Sequence, residues 1–458
     1  MRNIGHKTVM TAAMMLLASL AAFAQADSYS KVSVTHHTIR MDLSDFEGHQ
    51  IRGNAELQVK SKEKKLKAVP LNLLQMTVDS VFVNGKESSS EYDGEVLSVN
   101  LPKKLGRGRE ASIRVVYHGE PVSRRFGGFS WFSEQRMAHN MGVSINDIPH
   151  SYAKAWYPAV DDFRARSTYD LIITTPSDLT AVGNGLLQNE PVVSGNSKTW
   201  HWTMSQPIPD YLVSVAVGPY ITYETSYTNG SHELPVVAYV TKDEYEGAAA
   251  CYGIMPAVLK ALENRFGEYP FDRVGYVSVN SPGGAMEHAS NISMPRKPSA
   301  LASYQEMAIH ELIHSWFGNL VTCLTPGDMW LNEGITTYVV EVVLEDLAAE
   351  GLIPDDQVQN YRKTLDRIAG MIPKDNPRYH ALAGTPETDT YGSIVYYKGG
   401  WVMRQLRHKL GDELFFKAMK QYVKEFSWSN ASTEDFKASL EASTGTDLTE
   451  FFNEYVYS

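Results

Sequence analysis

Two cysteines, Cys251 and Cys323, are all that 458 residues contain. A disulfide framework is therefore excluded, which leaves either one bridge in an oxidising compartment or two buried thiols. No internal repeat or low-complexity tract is evident. Positive charge is in short supply, with a formal net charge of −11. A nucleic-acid partner needs a basic face and is not expected. Long apolar runs are scarce too. The clearest, Val9 to Phe23, is short for spanning a bilayer.

That run follows Arg2 and Lys7 and precedes Ala22-Phe23-Ala24 and Ala24-Gln25-Ala26, both small-x-small. Residues 1–26 thus read as a secretory signal peptide, and the mature protein is expected to be exported, periplasmic or secreted, without a membrane span. No cysteine follows to carry a lipid. Removing the leader takes away Arg2 and Lys7 and no acid, so the charge moves from −11 to −13. The remaining chain of about 430 residues, with 43% hydrophobic content overall, is long enough for two or three domains with sizeable cores.

From residue 31 to about 222 the pattern is β. Ile39 to Leu43, Ala55 to Val59 and Ile113 to Tyr117 alternate or nearly alternate, and Asn84-Gly85 is a hairpin turn signal. Short strands with regular turns predict a sandwich or saddle-like sheet assembly. Arg124 to His150, rich in aromatics and glycine, reads as a long loop. Beyond Pro219-Tyr220 the pattern changes. Glu233 to Thr241 still reads as a strand, but Ala248 to Phe266 is helical, and helices dominate from Ala302. Ser432 with Asp435 is a capping pair for a late helix.

The chemistry gathers at His310-Glu311-Leu312-Ile313-His314. Histidines four apart on a helix project from one face, so both imidazoles reach one ion. Glu311 is placed to take a proton from a water there. A catalytic zinc site wants three protein ligands and an open position. A third histidine in the pattern H-E-x-x-H-x-x-G-x-x-H is excluded, because Phe317 and Leu320 occupy its positions. The other solution is a carboxylate on the next helix. Glu333, in Trp330-Leu331-Asn332-Glu333-Gly334, is separated from His314 by eighteen residues, room for a loop and a second helix start.

These two segments together resemble the zinc signature of the M1 aminopeptidase family, the gluzincins related to aminopeptidase N and leukotriene A4 hydrolase. Gly283-Gly284-Ala285-Met286-Glu287-His288 resembles the family's G-A-M-E-N motif, with His288 in place of asparagine. Tyr396-Tyr397-Lys398-Gly399 resembles its Y-x-K-G. The order agrees over about residues 30 to 458. The resemblance implies an α+β multidomain fold: an N-terminal β-sandwich or saddle domain (27–224), then a thermolysin-like, mainly helical catalytic domain (225–458). It implies one zinc ion per chain on His310, His314 and Glu333, with Glu311 as general base and Tyr396 donating to the oxyanion. Glu287 would bind the substrate's α-amine, with Gly283, Gly284, Ala285 and Met286 pairing with its backbone. Longer members carry a further C-terminal domain that covers the cleft, so wider access is expected here.

Three positions depart from the family pattern. His288, if protonated, would repel the substrate amine and depress activity below about pH 6.5. The β domain's contribution to the amine site falls on Asn146 or Asp147. A supporting glutamate seven beyond Glu333 falls on Val340, with Glu341 one step off. The reading is therefore a zinc aminopeptidase acting on short peptides. The alternatives are an M1-like zinc hydrolase of changed reach (endopeptidase or non-peptide hydrolase) and a peptide-binding module that has lost catalysis.

Overall fold

The computed structural model describes residues 28–458 apart from 231, 283, 298–299, 372–373 and 375–376. The expected leader and Gly283 lie outside the described residues. The first half is built on a nine-stranded sheet. Its central strand, Val32–Asp45, pairs antiparallel with Gln50–Ser61 and parallel with Arg166–Pro176. Alternation explains the sheet's two faces: Val32, Val34, Ile39, Met41 and Leu43 are buried, with more exposed residues between them. Asn84 and Gly85 have φ of 52° and 76° and join Thr77–Val83 to Lys86–Ser88, as their turn signal predicts. A three-stranded sheet and a buried four-stranded sheet complete this half. In the latter, Met137–Met141 and Val215–Gly218 are buried throughout, so both faces are covered.

A second four-stranded sheet begins with the hairpin Ile221–Asn229 and His232–Val240 and continues with Val274–Val279 and Ile292–Pro295 in parallel. The boundary expected between 224 and 225 falls inside the first of these strands. The helical stretch at Ala248 to Phe266 is two helices, Tyr245–Tyr252 and Met255–Phe266. Pro256 explains the division: lacking an N–H, it starts a helix without loss but cannot sit within one. The helix Trp330–Ala349 is apolar around most of its circumference and is buried almost throughout, which suits a central element. Ser432 and Asp435 form the expected capping box on Thr433–Thr444. Cys251 and Cys323 are buried and unpaired. No helix among the described residues is long and apolar enough to cross a membrane.

One partly buried cation fastens the halves together. Arg166, at the start of its strand in the β half, donates to the carbonyl of Asn319 at 2.9 Å, to Thr322 Oγ1 at 2.7 Å and to the carbonyl of Ser429 at 2.9 Å. It has no carboxylate partner among the described residues, and burial lowers its pKa to about 10. Two of the residues it grips, Asn319 and Thr322, follow closely on the histidine helix.

Candidate metal centre and active-site cleft

Helix Gln305–Ile313 carries His310 and Glu311 and ends on His314. The imidazole Nε2 atoms of His310 and His314 lie 3.1 Å apart. Glu333, in the first turn of Trp330–Ala349, brings Oε2 to 3.4 Å from the former and 3.2 Å from the latter. Three donors at about 2.0–2.1 Å around a tetrahedral ion stand about 3.3 Å from one another, so this triangle has the size of a metal site. His314 donates its Nδ1–H to the Phe317 carbonyl at 2.9 Å. A carbonyl only accepts, so the bond fixes the tautomer and leaves Nε2 as a bare donor for a metal. Two nitrogens and a carboxylate oxygen suit zinc. Among the described residues this is the group of histidine and acidic side chains able to hold an ion.

Two close approaches account for the glycines beside these ligands. Gly318 has φ of 129°, and a Cβ there would stand 3.0 Å from His314 Nδ1. Only glycine lets the chain turn away without pushing the imidazole. A Cβ on Gly334 would meet Gly399 Cα and the Val395 carbonyl at 2.9 Å each. Helix Trp330–Ala349 can thus lie directly on the π-helical turn Ile394–Lys398, a form of local irregularity common at functional sites. That contact delivers Tyr396, whose ring stacks on His310 with centroids 6.3 Å apart. Burial pushes the Tyr396 hydroxyl well above its usual pKa, so it stays a donor.

Glu287 reaches the same cleft from the sheet. Met286 and Ser293 exchange both backbone hydrogen bonds, at 2.9 and 3.0 Å, which makes the 284–287 segment an edge on strand Ile292–Pro295. Gly284, Ala285, Met286 and Glu287 line a cavity of about 490 Å³ with His310, Glu311, His314, Glu333 and Tyr396. Asn319 holds the segment in place by donating to the Glu287 carbonyl at 2.8 Å. Burial raises Glu287 to about 7 and pushes Glu311 well above the carboxylate range. Burial would also raise Glu333, but His314 and His310 outweigh it and hold this carboxyl at about 2. Conversely, burial disfavours charge on His314, yet Glu333, Glu287 and Glu311 raise it to about 10. The ionised Glu333 calls for a cation between the two imidazoles, and a divalent ion would take over from that proton.

His288 requires a correction. It is fully buried and does not line the cavity. Its Nε2 accepts the Gly142 N–H at 3.2 Å, and its Nδ1–H donates to Ser293 Oγ at 3.0 Å. Burial, with His139 nearby, lowers its pKa to about 3. It is neutral at working pH and ties the β half to the edge segment, so it cannot repel an amine. Asn146 and Asp147 do not line the cavity either. Asp147 accepts from Arg124 at 3.0 Å, and Phe126, Val143 and Ile145 form the wall instead. Val340 lines the cavity, while Glu341 is buried against Arg362 and Arg404. Sequence reasoning missed Tyr391, Glu306 and Tyr361 as further lining residues.

Known proteins agree with this arrangement. The profile of the Peptidase M1 N-terminal domain matches residues 33–212, and that of the Peptidase family M1 domain matches 252–455. Aminopeptidase B of Rattus norvegicus is 31% identical over 75% of this chain and 52% of its own length. Leukotriene A-4 hydrolase of Xenopus laevis is 24% identical over 90% of this chain and 68% of its own, and Aminopeptidase 2 of Candida albicans 24% over 88% and 45%. The chain thus spans about half the length of most curated relatives it matches. A solved M1 zinc metallopeptidase from Deinococcus radiodurans superposes with a TM-score of 0.80 at 22% identity, covering 93% of this chain and 94% of that one. This is the same two-part fold, β half then helical half. On the two family profiles, which between them account for both halves, the chain belongs to peptidase family M1.

Proposed function

We propose that the protein is a zinc-dependent aminopeptidase that removes N-terminal residues from short peptides. The observation that carries this reading is the convergence, in one cavity, of the ligand triangle with two further carboxylates of different placement. Glu311 stands beside the ligands on their own helix, and Glu287 lies on a free sheet edge. His310, His314 and Glu333 would hold zinc, which when bound supplies a Lewis acid for water and the peptide carbonyl. A bound cation would favour the Glu311 carboxylate over the protonated form that burial favours, and Glu311 would then take the proton of the attacking water and return it to the leaving amine. The Tyr396 hydroxyl donates to the oxygen on which charge develops. Glu287 pairs with the α-ammonium, and the edge at Gly284 to Met286 aligns the substrate backbone, so the first peptide bond falls at the ligands. The names of the rat and Candida relatives support an aminopeptidase.

Single-residue fluorogenic amides test this directly. The metal-loaded protein should hydrolyse them, lose activity with a chelator and regain it with zinc. N-acetylation should abolish cleavage, whereas an endopeptidase would be indifferent to it. Glu311→Gln should lower kcat by about 10²–10⁴-fold with zinc content retained. Equal activity in that variant would overturn the assignment. Residues 1–26 supply the support for export. Intact mass of the secreted chain should show their removal, and retention of the full leader would refute it.

A further inference from the structure

Four glutamates line the metal cleft, and among the described residues no lysine or arginine does. Three of them have a task in the reaction proposed above: Glu333 holds the ion, Glu311 moves the proton and Glu287 takes the α-ammonium. Glu306 has none. It stands one turn before His310 on the same face of helix Gln305–Ile313. It accepts from Gln357 Nε2 at 3.0 Å through Oε1 and has no ion pair among the described residues. A half-buried carboxylate in a cavity without a basic side chain is suited to a positive group on a ligand.

The two ends of the cleft can be told apart. Glu287 belongs to the His314 end: Asn319, five residues after His314, donates to its carbonyl at 2.8 Å, and against burial Glu333 and Glu287 raise His314. Glu306 precedes His314 by eight residues, about 12 Å along the axis of a helix. The ligands lie between. A peptide with its ammonium on Glu287 and its first carbonyl at the ligands therefore sends its second residue towards Glu306. Two aromatic rings accompany Glu306 there. Burial pushes the Tyr361 hydroxyl up, and Glu306 and Tyr397 beside it add to the rise. Tyr361 is pinned by donating to the Thr337 carbonyl at 2.8 Å, and both rings line the cavity, where their faces can receive a cation. Phe126, Val143 and Ile145 in the wall are apolar and read shape, whereas Glu306 reads charge.

Resting on the aminopeptidase reading, we propose that Glu306 is a specificity-determining residue that selects lysine or arginine as the second residue of the substrate, directly after the cleaved bond. The ammonium or guanidinium pairs with the Glu306 carboxylate and lies against Tyr361 and Tyr397.

The test is a set of tripeptide amides, alanine at both ends and lysine, norleucine or glutamate in the middle, given to the zinc-loaded enzyme. A second pair carries lysine or norleucine in first place. Norleucine has nearly the length of lysine without its charge. Lysine in second place should exceed norleucine in kcat/KM by about tenfold, the value of one charge-assisted hydrogen bond, with the gain in KM. Glutamate there should be slowest. Glu306→Gln keeps an acceptor for Gln357 and should bring lysine and norleucine close to parity. Glu306→Lys should reverse the order of the lysine and glutamate peptides, which a merely structural role in the first helical turn would not do. Equal rates for lysine and norleucine in the wild type, or an undiminished ratio in Glu306→Gln, would overturn the proposal. So would a ratio that depends on Glu306 at the first place instead of the second. If no peptide is cleaved, the aminopeptidase reading has failed. Calorimetric binding of the lysine and norleucine peptides to the zinc-loaded Glu311→Gln protein, with and without Glu306→Gln, then decides the subsite alone. Tighter lysine binding that depends on Glu306 sustains it, and equal binding overturns it.

Discussion

The cleft has a floor made by the helical half and a wall lent by the β half, and different physics holds each. On the floor, His310, Glu311 and His314 belong to one helix, and Glu333 opens the next. Their spacing follows from helix geometry and from close backbone contacts such as Gly334 on Gly399. The wall, Phe126, Val143 and Ile145, comes from loops whose position depends on a separate core and on a few cross-links. Arg166 and His288 are two of those links. The floor is set by local geometry. The wall is in place only as long as the halves stay docked, which makes it the part where substrate range is set and lost.

Severing the main link is the strongest test of this distinction. Arg166→Met keeps volume but strips hydrogen bonds from the carbonyls of Asn319 and Ser429 and from Thr322. The buried acceptors on Asn319 and Thr322, left unpaired, should cost about 3 kcal/mol in urea unfolding, with the two halves no longer melting together. KM for peptides should rise while zinc content holds. A loss of zinc with KM unchanged would mean that Arg166 serves the floor rather than the wall.

The converse variant strikes the floor alone. Gly334→Ala places a methyl against Gly399 Cα and the Val395 carbonyl, forcing the ligand helix off the turn that carries Tyr396. Misplacement of reacting groups by an ångström costs about 100-fold, so kcat should fall by that order. The ratio of rates among substrates should be preserved, because the wall is untouched. A changed ratio at full kcat would break the division between floor and wall.

The same division explains what could be seen in the sequence. His310, Glu311 and His314 were legible because helical periodicity converts spacing into direction without knowledge of the rest of the fold, whereas Glu333, on the next helix, was reached through the need for a third ligand and the family resemblance. The strands with alternating residues and the Asn84-Gly85 turn were legible for a similar reason. His288 was misjudged because its role depends on Gly142, a residue 146 positions away along the chain. Nothing local says that a histidine beside a glutamate turns inward to accept an amide N–H. Asn146 and Asp147 failed likewise: the stretch expected to be a long loop carries the paired strands Gly128–Phe132 and Met137–Met141, and which of its residues faces the cleft is decided by the docking of two sheets. Val340 kept its expected position, yet the charge one step along serves Arg404 and Arg362, a network no spacing rule announces.

The gentlest probe acts on the wall's foundation. Asp210 sits in the turn Asp210–Leu212, accepts from the Tyr169 hydroxyl, and is fully buried. The Leu212 carbonyl of this turn accepts from Ala289 N at 3.2 Å, two residues beyond Glu287. Burial outweighs the Tyr169 hydrogen bond and pushes Asp210 up to about 8, with Asp161 and Asp162 adding to the rise. In the unfolded chain the same carboxyl titrates near about 3.9. The folded protein therefore keeps a proton that the unfolded chain gives up. This contribution to stability is whole below about pH 4 and is lost as pH rises through about 8, at about 1.4 kcal/mol for each pH unit. Asp210→Asn retains an oxygen for Tyr169 and has no proton to lose. Urea unfolding at pH 5, 6.5 and 8 should show the wild type losing ground to the variant as pH rises. Parallel pH profiles would mean that Asp210 is ionised in the fold, and that the turn behind Glu287 is held by charge instead of by a buried neutral acid.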